Sequence, residues 1–211
     1  MRIRNIPPFS IFVIVYLLVC NLQTASSQNL SNLSKSDWIQ RGGHATYEFV
    51  DNQIIGTSVV DNHNSFLCTI KEYGDFELNV DVKVDTAMNS GIQIRSESKP
   101  NYQDGRVHGY QVEIDPSKRA WSGGIYDEGR RGWLVNLEDN EPGRKAFKNG
   151  EFNHYRIVAK GNTIKTWVNG VLTAELNDDM TLKGFIAFQV HGTKIDRPMQ
   201  VIWKNITLKE L

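Results

Sequence analysis

HGYQVEIDPSKRAWSGGIYDEGRRGW, residues 108–133, is the stretch that decides the predicted fold and site. It begins as a strand, and side chains alternate between the two faces of a strand. One face then carries Gln111, Glu113 and Asp115, before Pro116 ends the strand. The other face is apolar and carries Tyr110, Val112 and Ile114. A face with one amide and two carboxylates is unlike an ordinary solvent face, so we expect it to line an active or binding site.

An aromatic and charged loop follows this strand. It contains Trp121, Tyr126 and Trp133, with several glycines. Its arginines are Arg119, Arg130 and Arg131. Aromatic rings pack on the apolar faces of pyranoses, and charged groups hydrogen-bond to their hydroxyls, so the loop indicates a sugar-binding cleft. The acid pair Asp127-Glu128 is a secondary candidate for contacting a metal or a sugar.

Short apolar and alternating segments separated by turn residues cover most of the remaining chain. They predict strands at 46–50, 53–56, 65–70, 76–84, 91–95, 154–160, 163–168, 171–176, 184–191 and 201–208. Asn169-Gly170 supplies the positive φ angles that a tight hairpin turn requires. No segment has the pattern of an amphipathic helix. The chain is therefore predicted to be all-β, a jelly-roll-like β-sandwich of two antiparallel sheets.

Polar side chains on three of the predicted strands should meet if those strands lie in one sheet. When that sheet is concave, its outer face becomes a polar groove. This expectation depends on the register, because a shift of one residue would move each side chain to the other face. The residues concerned are Gln93, Arg95, Gln111, Glu113, Asp115, Gln189 and His191.

The first 27 residues have the layout of a secretory signal peptide, which leaves residues 28–211 as a single domain. Arg2 and Arg4 precede an apolar run at 11–19, which is too short to span a bilayer comfortably. Ala25-Ser26-Ser27 provides small residues for cleavage. We expect a secreted or periplasmic protein without stable membrane insertion. A lipoprotein signal that ends at Cys20 is the alternative.

Charge and cysteine content argue against a nucleic-acid partner and against an intrachain disulfide. The chain has 24 basic and 24 acidic residues, and loss of two arginines with the signal leaves a net charge of about −2. A nucleic-acid partner, which would require a basic surface, is therefore not expected. Cys68 is the one cysteine beyond the signal, so no intrachain disulfide is expected, and we interpret it as a small buried hydrophobe.

An ordered set of short motifs resembles the 3-keto-disaccharide hydrolase domain family, once classed as a domain of unknown function. The similarity covers residues 37–211. The matching pieces are Glu72-Tyr73-Gly74-Asp75-Phe76-Glu77-Leu78, Asn89-Ser90-Gly91-Ile92 with Arg95, Gly109-Tyr110-Gln111-Val112-Glu113-Ile114, Asn169-Gly170-Val171, Gln189 with His191, and Asn205-Ile206 to Leu211. The resemblance implies a concanavalin-like jelly roll. It also implies an exported bacterial hydrolase or lyase acting on 3-keto-disaccharides or 3-keto-glycosides, which a separate sugar 3-dehydrogenase supplies.

One position departs from the family pattern. Many members read Gly-Tyr-Glu-Val-Gln-Ile, whereas this chain carries Gln111 and Glu113, so acid and amide are exchanged. Both positions share a face, and the carboxylate moves by roughly 6–7 Å along the strand. Which of the two positions carries the catalytic role is open.

The chemistry implied is removal of the C2 proton, which a C3 ketone acidifies, and elimination of the group at C1. The base is Glu113 or His191. Arg95 would stabilise negative charge or hold hydroxyl groups. A divalent metal ion could be held by Glu113, Asp115 and His191. The expected substrate-binding residues are Gln93, Gln111, Gln189, Trp121, Tyr126, Trp133 and Arg131.

Simpler interpretations of these residues remain open. His191 could end a strand, Asp115 could cap a turn, and Arg95 could form a cross-strand ion pair with one of the carboxylates. The scaffold could also serve as a non-catalytic carbohydrate-binding module. A conventional glycosidase with a Glu-x-Asp-x-x-Glu strand is disfavoured, because Lys118 stands where the second Glu is required.

Overall fold

The computed structural model describes residues 27–30, 34–61 and 63–211. Two antiparallel sheets account for most of these residues. In chain order the strands are β1 (Ser27–Asn29), β2 (Trp38–Gly42), β3 (Thr46–Val50), β4 (Gln53–Thr57), β5 (Ser65–Tyr73), β6 (Phe76–Val84), β7 (Ser90–Glu97), β8 (His108–Ile114), β9 (Ile125–Glu128), β10 (Gly132–Val135), β11 (Asn153–Lys160), β12 (Thr163–Val168), β13 (Val171–Asn177), β14 (Gly184–Val190) and β15 (Gln200–Glu210). The helical segments are α1 (Glu141–Arg144) and single 3-10 turns at Lys35–Asp37 and Gln103–Gly105.

The eight-stranded sheet has the order β13-β12-β11-β6-β15-β4-β3, with β1 paired to β15. The seven-stranded sheet has the order β10-β9-β8-β7-β14-β5-β2. Strands β8, β7 and β14 are therefore neighbours in the middle of the second sheet. This order brings together the three strands on which the polar residues were predicted.

The core lies between the two sheets. Strand β6 contributes the apolar half of its alternating pattern, from Phe76 to Val84, and its polar half points away. Tyr110, Val112 and Ile114 of β8 are fully buried in the same core. Their alternation places Gln111 and Glu113 on the outer face of the seven-stranded sheet.

The predicted all-β sandwich of two antiparallel sheets is confirmed. The region after Pro116 is not entirely the loop that the sequence predicts, because residues Ile125–Glu128 and Gly132–Val135 form β9 and β10. These strands have only four residues each, and a register shift between Trp133 and Val135 interrupts their pairing. Because of these two features, the sequence lacks the long alternation of apolar and polar residues by which a strand is recognised.

The predicted signal peptide and Cys20 lie outside the described residues, apart from Ser27. Within the described part of the chain, no helix is long and apolar enough to cross a membrane. Cys68 is buried and free, as predicted.

Candidate functional site

A pocket of about 560 Å³ lies on the outer face of the seven-stranded sheet, and we call it the central pocket. This volume is within the range of ligand sites in proteins. Its lining combines carboxylates, amides, arginines and aromatic rings. The lining residues are Asn64, Asn89, Arg106, Gln111, Glu113, Asp115, Ser117, Arg119, Tyr126, Glu128, Trp133, Gln189 and His191.

Glu113 is a buried carboxylate of this lining and accepts hydrogen bonds from three side chains. Asn89 Nδ2 donates to Glu113 Oε1 over 2.7 Å. Gln111 Nε2 donates to Oε2 over 3.0 Å, and Arg119 Nη2 reaches Oε1 over 3.2 Å. Burial disfavours the charged form more than these donors favour it, so the pKa of Glu113 lies above its ordinary value.

A buried chain of hydrogen bonds, from Ser96 through Gln93 and Gln111 to Glu113, orients this carboxylate; we call it the amide chain. Ser96 Oγ donates to Gln93 Oε1 over 2.7 Å, and Gln93 Nε2 donates to Gln111 Oε1 over 2.7 Å. Gln189 Nε2 donates to the same Gln111 oxygen over 2.9 Å. Because two donors hold the oxygen of Gln111, its amide nitrogen is turned toward Glu113.

Gln189 also presents an unsatisfied acceptor. Its side chain is fully buried, and its Oε1 has no hydrogen-bond donor among the described residues. A buried acceptor left unpaired costs about 1–3 kcal/mol. A hydroxyl group of a ligand in the central pocket would remove this penalty.

Arg119 links the two carboxylates of the site. Its Nε donates to Asp115 Oδ2 over 2.8 Å, and its Nη2 donates to Glu113. Asp115 Oδ1 also accepts the backbone N–H of Ser117 over 3.0 Å, so Asp115 both lines the pocket and caps the turn. Burial raises the pKa of Asp115, but the hydrogen bonds from Ser117 and Arg119 outweigh it, and the pKa lies below its ordinary value. The environment therefore separates the pKa values of the two carboxyl groups, as in acid–base sites with divided roles.

Three aromatic rings form one wall beside Arg119. Trp133 contacts Tyr126 edge-on at 5.3 Å between ring centroids and Trp121 at 4.9 Å. The Arg119 guanidinium lies 5.0 Å from the ring centroids of both tryptophans. Tyr126 and Trp133 line the pocket, whereas Trp121 packs behind Trp133 and is outside the lining. This wall offers the apolar surface on which a sugar ring can stack.

His191 follows the last residue of β14 and lines the pocket with an exposed ring. Its Nδ1 lies 2.7 Å from the carbonyl oxygen of Gly192, which can only accept, so Nδ1 carries the proton. In the neutral ring Nε2 is then free to accept a proton or a hydrogen bond. His191 therefore both ends a strand and offers a free ring nitrogen to the pocket.

The prediction that Arg95 lies in the groove is wrong. A register shift between Ile94 and Glu97 breaks the alternation, and Arg95 has a positive φ of 46°. Its guanidinium points to the end of the sandwich, where it donates to the carbonyl oxygens of Gly74 and Gly161 and to Asp75. The pair expected with Glu113 or Asp115 is not formed. Arg95 instead joins the β5–β6 connection between the two sheets to the β11–β12 hairpin turn.

Two further residues were predicted to contact the substrate and do not line the pocket. Gln93 is fully buried beneath Gln111, so it supports the site rather than lining it. Arg131 pairs with Asp127 at 2.5 Å and with Asp178 at 2.8 Å, away from the lining. Arg131 was assigned to a loop, which has no alternating pattern from which the direction of its side chain could be predicted.

The residues proposed as metal ligands do not fit a metal ion as they are arranged. Arg119 donates to both Glu113 and Asp115. Across the described ranges, no group of three or more His, Cys, Asp and Glu side chains could hold a metal ion.

Two residues that contact Glu113 were not among the predicted catalytic or substrate-binding residues. Asn89 precedes β7, and its amide reaches Glu113 across the sheet; its place in the Asn89-Ser90-Gly91-Ile92 motif was the available signal. Arg119 lies in a loop, where the spacing of residues along the chain does not predict the direction of a side chain. Only the folded structure shows that Arg119, four residues after Asp115, contacts both Asp115 and Glu113.

The fold and the groove define a β-sandwich of the galectin-like class with a polar pocket on one sheet. Residues 26–209 match the family model described as the 3-keto-alpha-glucoside-1,2-lyase-like domain. The chain belongs to this family. None of the curated protein sequences shows significant similarity to it.

Solved structures with the same architecture support the fold. A carbohydrate-binding module (CBM66) from Bacillus subtilis has a TM-score of 0.62 at 15% identity and covers 82% of this chain and 96% of its own. A Bacillus subtilis protein of unknown function with a galectin-like fold also has a TM-score of 0.62, at 16% identity, with coverage of 88% and 94%. A protein from Parabacteroides distasonis, provisionally assigned as a glycosyl hydrolase, has a TM-score of 0.57 at 22% identity, with coverage of 81% and 93%. At these identities the likeness establishes the fold alone.

Proposed function

We propose that this protein cleaves 3-keto-glycosides or 3-keto-disaccharides by removing the C2 proton and eliminating the group at C1. The observation that carries the proposal is the environment of Glu113, a buried carboxylate whose pKa is raised in a polar pocket. A carboxylate with a raised pKa is a better base near neutral pH. Membership of the lyase-like family supports the choice of a keto-sugar.

The reaction balances with one base and one proton donor. Glu113 takes the C2 proton, and the electron pair of that bond forms an enolate with the C3 ketone. The enolate then collapses to an enone as the C1–O bond breaks, and the departing oxygen takes a proton. Water that adds at C1 completes a net hydrolysis.

The other residues would bind and orient the sugar. Gln189 Oε1 would accept a sugar hydroxyl, and Trp133 with Tyr126 would stack on the ring. Arg119 has a positive charge close to Glu113 and would stabilise the developing enolate. His191, which is exposed at the rim, would take up a proton at its free Nε2 and deliver that proton to the departing oxygen.

Release of the aglycone from a 3-keto-glucoside and from its unoxidised parent tests the proposal. Cleavage of the keto form alone, with a rate that falls strongly in Glu113→Gln, is the expected result. Saturable sugar binding without cleavage of either compound would instead favour a carbohydrate-binding module, a function that the aromatic wall could also serve. Cleavage of the unoxidised parent would indicate a conventional glycosidase. A parallel assay with a chelator checks the conclusion about metal ions.

A further inference from the structure

A second pocket of about 850 Å³ adjoins the central pocket, and we call it the outer pocket. The two pockets have four lining residues in common, so they form one continuous groove. The shared residues are Asn64, Arg106, Glu128 and His191.

One wall of the outer pocket carries two histidines that a single carboxylate orients. Asp61 Oδ2 accepts from His44 Nδ1 over 2.7 Å, and Oδ1 accepts from His63 Nδ1 over 3.0 Å. Asp61 also accepts the backbone N–H groups of both histidines. Each neutral ring is therefore held with Nε2 free to accept a hydrogen bond, and the side chains are 84% and 78% exposed.

A loop with unusual backbone geometry also lines the outer pocket. Gln103, Asp104 and Gly105 have positive φ angles of 43°, 54° and 82° in succession. Non-glycine residues adopt this region at a cost, and such strain concentrates at ligand sites. Arg106 fixes the loop by donating to Gln103 Oε1 and to Glu128 Oε1. The Asp104 carboxylate has no hydrogen-bond or ion-pair partner among the described residues, so it is available to a ligand.

The floor of the outer pocket is apolar. Phe66 and Val107 line it and belong to a small buried cluster on the outer face of the sheet. An apolar floor between walls of imidazole, amide and carboxylate groups matches a neutral polyhydroxylated ring. Glu128 balances the charge of Arg106, so the pocket lacks the excess of positive charge that a phosphate would require.

We propose that the outer pocket is a second sugar-binding subsite, which holds the sugar that leaves when the keto-sugar in the central pocket is cleaved. His44, His63 and Asp104 hydrogen-bond to the hydroxyls of the leaving sugar, and Phe66 packs on its ring. This inference rests on the proposed function, because that places the keto-sugar beside Glu113. The scissile oxygen then lies at the boundary of the two pockets, beside His191.

Kinetics with two substrates tests the subsite. The first is a 3-keto-disaccharide, and the second is the methyl 3-keto-glucoside, which has no second sugar. His63→Ala and Asp104→Asn should raise KM for the disaccharide at least fivefold more than KM for the methyl glycoside. Asparagine is used at position 104 because it tolerates a positive φ. An equal effect on both substrates, or no effect on either, would overturn the proposal.

His154→Ala is the matched control. His154 Nδ1 is likewise paired with a carboxylate, Asp81, at 2.7 Å, but it lies on β11 of the other sheet. It should alter KM for neither substrate.

Calorimetric binding of unoxidised sugars keeps the test independent of catalysis. If wild-type protein cleaves neither keto-sugar, the proposed function fails, and binding alone decides the subsite. Tighter binding of a glucose disaccharide than of methyl glucoside, with the difference lost in His63→Ala, supports the subsite. Equal affinity for the two sugars in wild-type protein refutes it.

Discussion

The side chain of Gln111 crosses directly over Gly91 on the neighbouring strand. A Cβ atom at Gly91 would lie 2.5 Å from Gln111 Cδ and 2.8 Å from its Nε2. The absence of a side chain at position 91 therefore allows the amide of Gln111 to reach Glu113. We expect Gly91→Ala to displace Gln111 and lower kcat for the 3-keto-glucoside at least tenfold, as measured by aglycone release.

Gly74→Ala is the control for this substitution. Gly74 has no positive φ angle, and the nearest atom to a Cβ there is 3.7 Å away, which is ordinary contact. That variant should retain the wild-type rate. A fully active Gly91→Ala protein would show that the position of Gln111 does not matter for turnover.

The pH dependence of the rate follows from Glu113. A base must be ionised to act, and burial raises the pKa of this group above its ordinary value of about 4.3. Activity should therefore rise with pH, with the midpoint of its ascending limb above that value. Glu113→Gln should lower the rate by a factor of about 10² to 10⁴ and abolish this ascending limb. A midpoint near 4 would place the base elsewhere.

The sequence predicted the directions of the site residues correctly where side chains alternate regularly along a strand. It failed where this alternation is interrupted. Gln111, Glu113 and Gln189 lie on regular stretches of β8 and β14, so the period of two gave their direction correctly. Arg95 lies within a bulge, where the period of two predicts the wrong direction for its side chain. Arg119 acts from a loop, and its contacts to Glu113 and Asp115 depend on how the chain turns after Pro116.

Arg119 should be more important than its exposed position suggests. It bridges both carboxylates and lies against two tryptophans, a planar arrangement that lysine cannot reproduce. Arg119→Lys keeps the charge but loses the guanidinium whose N–H groups donate to both carboxylates. We therefore expect kcat/KM for the 3-keto-glucoside to fall at least tenfold. Steady-state kinetics would measure the change.

Arg156 provides a close control for Arg119. It also pairs with a carboxylate, Glu77, and lies 4.4 Å from the Trp167 ring centroid. Both arginine side chains are 40% exposed, but Arg156 is on the other sheet. Arg156→Lys should leave kcat/KM unchanged. Equal losses in the two variants would indicate a general effect on folding, which chemical denaturation would detect.

Arg95 should support stability rather than catalysis. Its fully buried guanidinium satisfies the carbonyl oxygens of Gly74 and Gly161, at 2.8 and 2.7 Å, and pairs with Asp75 at 2.9 Å. Arg95→Ala removes these donors, so the free energy of unfolding should fall by about 3 kcal/mol. Urea denaturation would measure this loss, while kcat for the fraction still folded should match wild type. A large loss of kcat at unchanged stability would restore Arg95 to the catalytic role that its sequence position first suggested.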